Sequence, residues 1–198
     1  DVVDDSLLRR GIESANSVWG NQASVLVGDF LFSRAFQIMV EDGSLRVLDI
    51  LSEASAVIAE GEVQQLVNSN DLGTTEQDCL SVISAKTAKL FAAACEVGAV
   101  VSERPPKTAA SLANFGLNFG ISFQLVDDII DYAATDSVIG KQVGDDFREG
   151  KVTLPVFFAY TRGGPQDRAF WKRTIENGEL RDGDLACAIS LMKKYEVL

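Results

Sequence analysis

The amino-acid sequence predicts an all-α fold, a single-domain bundle of long packed helices. Three observations predict it. Only four prolines occur in 198 residues, apolar residues recur at spacings of three and four over long stretches, and alternation typical of strands is hard to find. The length fits one domain with a sizeable core, and 46% hydrophobic with 24% charged residues is typical of a folded chain.

The first half of the chain contains three predicted helices. Residues 23–41 contain no proline and a single glycine, and apolar side chains recur there at helical spacing, as they do over 45–66. A third helix is predicted over 80–94, since Thr74 and Thr75 offer capping side chains just before it.

The second half adds one long helix and two shorter ones. Residues 107–132 form the clearest case, because apolar residues from Leu112 to Ile130 are separated by 3, 4, 4, 3 and 4 positions. Shorter helices are predicted over 152–160 and 185–195. The predicted loops are 68–73, 102–107, 135–151 and 163–166.

The charge balance excludes several classes of function. Lys and Arg total 18 against 29 Asp and Glu, which gives a net charge of −11, and histidine is absent. Nucleic-acid binding is not expected, because affinity for phosphate backbones comes from clustered cations. Without histidine, Ser-His-Asp and Cys-His catalysis and His-containing zinc sites are excluded. The chemistry must use carboxylates, amines, hydroxyls, thiols or an oxygen-bound metal.

The cysteines and the hydropathy pattern indicate a reducing compartment and no membrane span. Cys79, Cys95 and Cys187 are odd in number and far apart, so buried thiols are expected rather than a disulfide framework or a structural zinc site. No uninterrupted run reaches the ~20 apolar residues that span a bilayer, so no transmembrane segment is expected.

Two acidic clusters are the most informative feature of the sequence. If the first residues are helical, Asp1 and Asp4 project from one face, and Arg9 and Arg10 follow about one and a half turns later. In the predicted helix over 107–132, one stripe collects a carboxamide and three carboxylates: Gln124, Asp127, Asp128 and Asp131. The aromatic and aliphatic stripe on another side of this helix is expected to pack into the core: Phe119, Phe123, Val126 and Ile130.

A single acidic stripe is ordinarily a solvated face, but two of them in a chain without histidine favour a metal site. Mg²⁺ suits such clusters best, because it takes one or two carboxylates together with waters and phosphate oxygens. Basic residues supply the matching half of a phosphate site. Lys86 lies mid-helix among apolar residues where it needs a partner, and Lys141 and Lys151 flank a loop bounded by glycines.

Together these segments resemble the trans-isoprenyl diphosphate synthases, or polyprenyl synthetases. That family has two D-D-x-x-D motifs, the first followed by R-R-G and the second within F-Q-x-x-D-D-x-x-D. Asp1 and Asp4 match the second and third aspartates of the first motif, and residues 9–11 match R-R-G. Lys86 and Thr87 match a K-T pair, residues 123–131 match the second motif in full, and residues 140–151 resemble the lysine-bearing loop after it.

The resemblance implies head-to-tail elongation of an allylic diphosphate by isopentenyl diphosphate, with Mg²⁺ as the cofactor. The implied magnesium ligands are the five motif aspartates: Asp1, Asp4, Asp127, Asp128 and Asp131. The implied diphosphate-binding residues are basic: Arg9, Arg10, Lys86, Lys141 and Lys151. Lys86 and Lys141 would also act in catalysis, and the Thr87 hydroxyl and Gln124 carbonyl would face the allylic cation.

The resemblance also implies a bundle around a central cavity and a homodimer formed through helices near residues 23–60. Residues 19–31 look most like the long-chain synthases that make quinone side chains, and Val25, Phe30 and Phe32 are candidates for the wall of a prenyl tunnel. Residues 1–198 are expected to be one polyprenyl synthetase domain that lacks its N-terminal helices and its extreme C-terminus. A cytoplasmic enzyme is expected, or a matrix enzyme in a mitochondrion, and peripheral membrane contact during product release is compatible with this.

Three alternatives remain open from the sequence. A class I terpene cyclase shares the all-α fold, but its second motif usually mixes Asn, Ser and Glu. A non-catalytic regulatory subunit of a prenyl synthase tends to lose aspartates or the arginine pair, which are present here. A helical scaffold or divalent-ion buffer would leave Lys86, Lys141 and Lys151 unexplained.

Overall fold

The computed structural model of the chain describes residues 8–9, 12–133 and 143–198, with the backbone alone at Arg9. It begins with a short antiparallel pair, β1 (Leu8–Arg9) and β2 (Ile12–Glu13), in which Leu8 lies opposite Glu13 and Arg9 opposite Ile12. The sequence interpretation of a helix that continues to Arg9 is therefore wrong, because this backbone is extended and pairs with β2.

Long helices follow, as the sequence predicts. Their bounds are α1 (Ala15–Asp42), α2 (Leu45–Asn68), α3 (Glu76–Ile83), a π-helical turn (Ser84–Ala88), α4 (Lys89–Val101) and α5 (Pro106–Ala133). The predicted cap is present, since the Thr75 side chain accepts from the backbone N–H of Asp78 while the Asp78 carboxylate accepts from that of Thr75. The all-α prediction is confirmed.

The remaining elements are short helices: α6 (Asp145–Arg148), α7 (Leu154–Arg162), α8 (Pro165–Trp171) with a second π-helical turn (Lys172–Glu176), and α9 (Asp184–Lys194). The loop predicted over 163–166 ends early because Pro165 starts α8, a position that proline favours. The sequence analysis did not predict this helix, yet its last residue, Trp171, is fully buried, as is Ile175 in the π-helical turn that follows.

The largest core cluster lies in the second half of the chain. Its fully buried members are Tyr132, Phe147, Val156, Ala159, Trp171, Ile175, Ala188 and Met192. A second cluster joins Cys79, Ile83 and Leu154, and thereby connects α3 to α7 and to the inner face of α5. A smaller cluster of Ile50, Ala54 and Ala93 connects α2 with α4.

The helix formed by α3, the first π-helical turn and α4 is packed between α2 and α5 at close range. A methyl group built on Gly120 of α5 would lie 2.5 Å from Cα of Ala88, and one on Gly116 would meet the Phe91 carbonyl. On the other side, a methyl group on Gly61 of α2 would lie 2.8 Å from the backbone nitrogen of Lys86. Glycine at these three positions lets the backbones approach closely.

The buried face of α5 differs from the one that the sequence predicted. The residues of α5 that are buried are Ala109, Gly116, Gly120, Asp128 and Tyr132. The predicted core stripe is about half exposed in the described part of the chain, with exposed fractions of 51% at Phe119 and 52% at Phe123. The prediction was wrong because Gly116 and Gly120 face the neighbouring backbone at Phe91 and Ala88, whereas Phe119 and Phe123 stay about half exposed. Phe91 packs against both rings in tilted arrangements, with 5.5 Å between the ring centroids in each pair.

Helix α1 is apolar and almost entirely exposed. It is long and apolar enough to cross a membrane by length and composition, with a mean hydropathy of 1.4 over its best 18 residues and 6% of that window buried. Helices that bury their apolar surface against protein reach the same length and hydropathy. Helix α1 also contains the charged residues Asp29 and Arg34.

The glycine contacts predict a stability difference between two alanine substitutions. Gly120→Ala should lower the free energy of unfolding by about 1–3 kcal/mol, because the new methyl group overlaps the backbone of Ala88. Gly98→Ala in α4 is the matched control: it meets nothing within 4 Å. It should raise the free energy of unfolding by about 0.5–1 kcal/mol, since alanine favours the helix. Urea denaturation followed by circular dichroism measures both, and equal effects of the two substitutions would contradict the packing described.

Candidate active site

The first π-helical turn positions the predicted Lys86 and Thr87 pair. A π-helical turn inserts an extra residue into a helix, and such turns are frequent at functional sites. It interrupts the α3–α4 helix at Ser84–Ala88, where α2 and α5 both approach most closely. The Lys86 side chain reaches toward α2 and the Thr87 side chain toward α5.

Two side chains of α2 hold the Lys86 ammonium group. Its Nζ donates to Oε1 of Gln65 and forms an ion pair of 3.0 Å with the Glu62 carboxylate. The Lys86 side chain is 26% exposed, so the charge is partnered yet still accessible. The sequence analysis did not single out Glu62 and Gln65. Their i,i+3 spacing places both side chains on one face of a helix. The sequence does not show that this face of α2 meets Lys86, because that contact is set by the tertiary structure.

A hydrogen-bond chain connects Thr87 with the acidic motif of α5. The Thr87 hydroxyl donates to Oε1 of Gln124 at 2.8 Å, and Nε2 of Gln124 donates to Oδ1 of Asp128 at 2.8 Å. Two segments that are 37 positions apart are thus brought together. The predicted K-T pair and the predicted Gln-and-aspartate stripe belong to one site.

The three aspartates of α5 lie in different environments. Asp127 is exposed, Asp131 is half-buried, and Asp128 is only 5% exposed. Burial raises the pKa of Asp128 to about 7, against the opposing effect of its hydrogen bond from Gln124. The neighbouring carboxylates of Asp146, Asp127 and Asp131 raise this pKa further.

The segment after the second motif folds back onto Asp131. The backbone N–H of Asp146, at the start of α6, donates to Oδ2 of Asp131 at 3.2 Å, and Gly144 N–H donates to the Asp131 carbonyl. Lys151 forms ion pairs with Asp146 and Glu149 and is 17% exposed. The structure therefore brings Lys151 next to the second motif through Asp146, a residue that the sequence analysis did not single out.

The cysteines take no part in this site. Cys79 is buried, its thiol donates to the Val152 carbonyl at 3.3 Å, and burial raises the pKa of the thiol to about 11. Such a thiol is protonated near neutral pH and is a poor nucleophile. All three cysteines are free, and Cys79 is buried as predicted. The prediction of buried thiols is wrong for Cys187, which is exposed, and Cys95 is half-buried.

Several predicted site residues lie outside the described part of the chain: Asp1, Asp4, Arg10 and Lys141. Arg9 is described in its backbone alone. Within residues 8–9, 12–133 and 143–198, no group of three acidic or cysteine side chains converges closely enough to hold a metal. A metal site that uses both predicted motifs would draw on residues beyond this range.

The arrangement defines a class of chemistry. It joins a partnered, accessible lysine, a hydroxyl and a carbonyl aligned by hydrogen bonds, and two carboxylates further along α5. Asp127 is exposed and lies about one helical turn beyond Gln124, and Asp131 is half-buried and lies about two turns beyond it. Carboxylates such as Asp127 and Asp131 provide the hard oxygen ligands that divalent cations such as Mg²⁺ prefer. A cation together with Lys86 would attract a phosphorylated group, and the oxygens of Thr87 and Gln124 would stabilise a carbocation.

Comparison with known proteins identifies the family. The sequence model of the polyprenyl synthetase family matches residues 1–192, and the chain belongs to this family. It is 48% identical to the octaprenyl diphosphate synthase of Escherichia coli (strain K12) over 181 residues, which cover 91% of this chain and 56% of that protein.

Solved structures of the family share the fold over the whole chain. A polyprenyl synthase from Caulobacter crescentus CB15, complexed with calcium and isoprenyl diphosphate, matches with a TM-score of 0.96 and 49% identity. A decaprenyl diphosphate synthase from Rhodobacter capsulatus matches with a TM-score of 0.93 and 52% identity. Both matches cover 100% of this chain, and this chain spans 60% and 61% of those chains. The fold is thus the all-α isoprenoid synthase fold.

The hydrogen bond between Thr87 and Gln124 can be tested by a nearly isosteric substitution. Thr87→Val should lower the free energy of unfolding by about 1 kcal/mol, because the half-buried carbonyl of Gln124 loses its donor. Thr87→Ser keeps the hydroxyl and should retain most of this stability. Urea unfolding of the three proteins provides the measurement, and a Val variant as stable as wild type would show that the hydrogen bond contributes nothing.

Proposed function

We propose that the protein is a trans-prenyltransferase that elongates an allylic diphosphate by head-to-tail condensation with isopentenyl diphosphate. The observation that carries the proposal is the hydrogen bond from Thr87 to Gln124, which joins the K-T pair to the second aspartate-rich motif. The relatives support it, since they include an octaprenyl and a decaprenyl diphosphate synthase. The chain spans only about half to three fifths of these relatives, so the activity is proposed for the full-length protein.

We propose Mg²⁺ as the cation of this site. Asp127 is exposed and Asp131 is oriented by the Asp146 N–H, so these carboxylates are the α5 ligands that fit it best. Mg²⁺ needs only one or two carboxylates and takes waters and phosphate oxygens for the rest. Asp1 and Asp4 of the first motif are the further proposed ligands. The sequence also predicts Asp128 as a ligand, but its side chain is only 5% exposed. When bound, the cation neutralises charge on the diphosphate leaving group.

The proposed reaction forms one carbon–carbon bond. The C1–O bond of the allylic diphosphate breaks, and its electron pair leaves with the diphosphate. The double bond of isopentenyl diphosphate then attacks C1, and a proton from C2 of the adduct passes to the released pyrophosphate. No protein base is needed, which accords with the absence of histidine.

The chain's own residues would act on the two charged ends of this transition state. Lys86, with Arg9 and Lys141, would bind the departing diphosphate. The oxygens of Thr87 and Gln124 would face the positive charge on the allyl group. Arg10 would bind isopentenyl diphosphate, and Lys151 would supply a further cation for the diphosphates.

The proposed product is a long-chain polyprenyl diphosphate of the kind that becomes a quinone side chain, and the proposed location is the cytoplasm. The octaprenyl and decaprenyl synthases among the relatives support the chain length. A terpene cyclase and a regulatory subunit are not favoured, because the second motif keeps all three aspartates.

Incubation with substrates tests the proposed activity. The full-length protein with labelled isopentenyl diphosphate, an allylic starter and Mg²⁺ should produce one discrete long product after dephosphorylation and chromatography. Removal of Mg²⁺ by EDTA should abolish incorporation, and added Mg²⁺ should restore it. Lack of incorporation with several starters would refute the activity, and a cyclic hydrocarbon formed without isopentenyl diphosphate would favour a cyclase.

We also propose a homodimer formed through α1 and α2, near residues 23–60. The exposed apolar surface of α1 supports this, with exposed fractions of 67% at Leu26 and 66% at Phe30. Leu26→Glu should convert a dimer into a monomer, since a charge would be buried in the interface. Light scattering coupled to gel filtration of the full-length protein provides the masses, and Ala186→Glu on the exposed side of α9 is the control. A monomeric wild-type protein, or a dimeric Leu26→Glu variant, would contradict this interface.

A further inference from the structure

The orientation of the Gln124 amide is fixed by only one of its two hydrogen-bond partners. The oxygen and nitrogen ends of a carboxamide have nearly the same size, so its orientation depends on the partners. The Thr87 hydroxyl can either donate or accept, and it is therefore compatible with both orientations. Nε2 of Gln124 lies 2.8 Å from Oδ1 of Asp128, and the carboxylate can only accept in its ionised form, which prevails above the Asp128 pKa of about 7.

We infer that Asp128 is a positioning residue, which directs the Gln124 carbonyl toward Thr87 and does not bind the metal. This inference rests on the proposed function and assigns Asp128 a role that differs from the sequence prediction of a magnesium ligand. The two hydrogen bonds then run in the same direction, because the Thr87 hydroxyl donates to Gln124 and the Gln124 amide donates to Asp128. The remaining lone pairs of the Thr87 and Gln124 oxygens stay available to a cationic group.

The environment of Asp128 favours this role over metal binding. Asp128 is 5% exposed, and one of its oxygens already accepts from Gln124. Mg²⁺ usually keeps several waters, so its ligands need access to solvent. Asp127, the adjacent residue on the same helix, is exposed and has that access.

A reversed amide would change the sign of the electrostatic interaction. It would turn an N–H group, which carries partial positive charge, toward the Thr87 side of the site in place of the carbonyl oxygen. Under the proposed function, this N–H group would oppose the allylic cation that forms in the transition state. The effect would appear in kcat rather than in the binding of the diphosphates, because the cation is absent from the ground state.

Two substitutions at Asp128 and one at Asp127 separate positioning from metal binding. Asp128→Leu removes the acceptor and should lower kcat about a hundredfold. Asp128→Asn offers both an acceptor and a donor, so the amide of Gln124 takes either orientation and kcat should fall by about two- to tenfold. KM for the allylic diphosphate should stay within twofold in both.

The second readout is binding of Mn²⁺, which replaces Mg²⁺ and is measured by electron paramagnetic resonance with inorganic pyrophosphate present. Both Asp128 variants should bind Mn²⁺ as wild type does, whereas the matched control Asp127→Asn should bind it at least about tenfold more weakly. A comparable loss of Mn²⁺ affinity in Asp128→Asn would overturn the inference, as would an Asp128→Leu enzyme with wild-type kcat.

The test remains decisive if a variant or the proposed activity fails. Circular dichroism reports whether Asp128→Leu folds, and if it does not, Asp128→Asn still provides both readouts. If the wild-type protein incorporates no isopentenyl diphosphate, the proposed function is refuted. The Mn²⁺ comparison of positions 127 and 128 then decides separately whether Asp128 is a metal ligand.

Discussion

The close packing of the α3–α4 helix between α2 and α5 is the constraint on which the site depends. Gly61 admits the backbone at Lys86 from one side, and Gly116 and Gly120 admit Ala88 and Phe91 from the other. With side chains at these positions, the helices would stand further apart. Lys86 would then lie too far from Glu62, and Thr87 too far from Gln124, for the observed contacts.

This packing also explains why the two halves of the site have different polarity. On the α2 side, the Lys86 ammonium group is held by oxygen atoms of Glu62 and Gln65 and remains partly exposed. On the α5 side, a hydrogen-bond chain ends at the buried carboxyl group of Asp128. The Lys86 ammonium group and the Thr87 hydroxyl therefore lie on successive residues of one π-helical turn, and each contacts a different neighbouring helix.

Most of the helices could be predicted from local pattern, because apolar periodicity and capping residues act within a few turns. The clearest exceptions were α8, which follows a Gly-Gly-Pro segment that reads as a loop, and the extended backbone at Arg9. The buried face of α5 was also predicted wrongly. Hydrophobicity favours the side with Phe119 and Phe123, but the glycine side is the one that a neighbouring backbone can approach.

By itself, the sequence determined the fold class, the family and the identity of the acidic and basic motifs, since each is carried by residues close together in the chain. Only the tertiary structure decided that Thr87 meets Gln124, that Glu62 and Gln65 hold Lys86, and that Asp128 is buried while Asp127 is exposed. The physical reason is that a motif specifies the chemistry of its side chains. Their burial, partners and orientation depend on backbones that come together from distant parts of the chain.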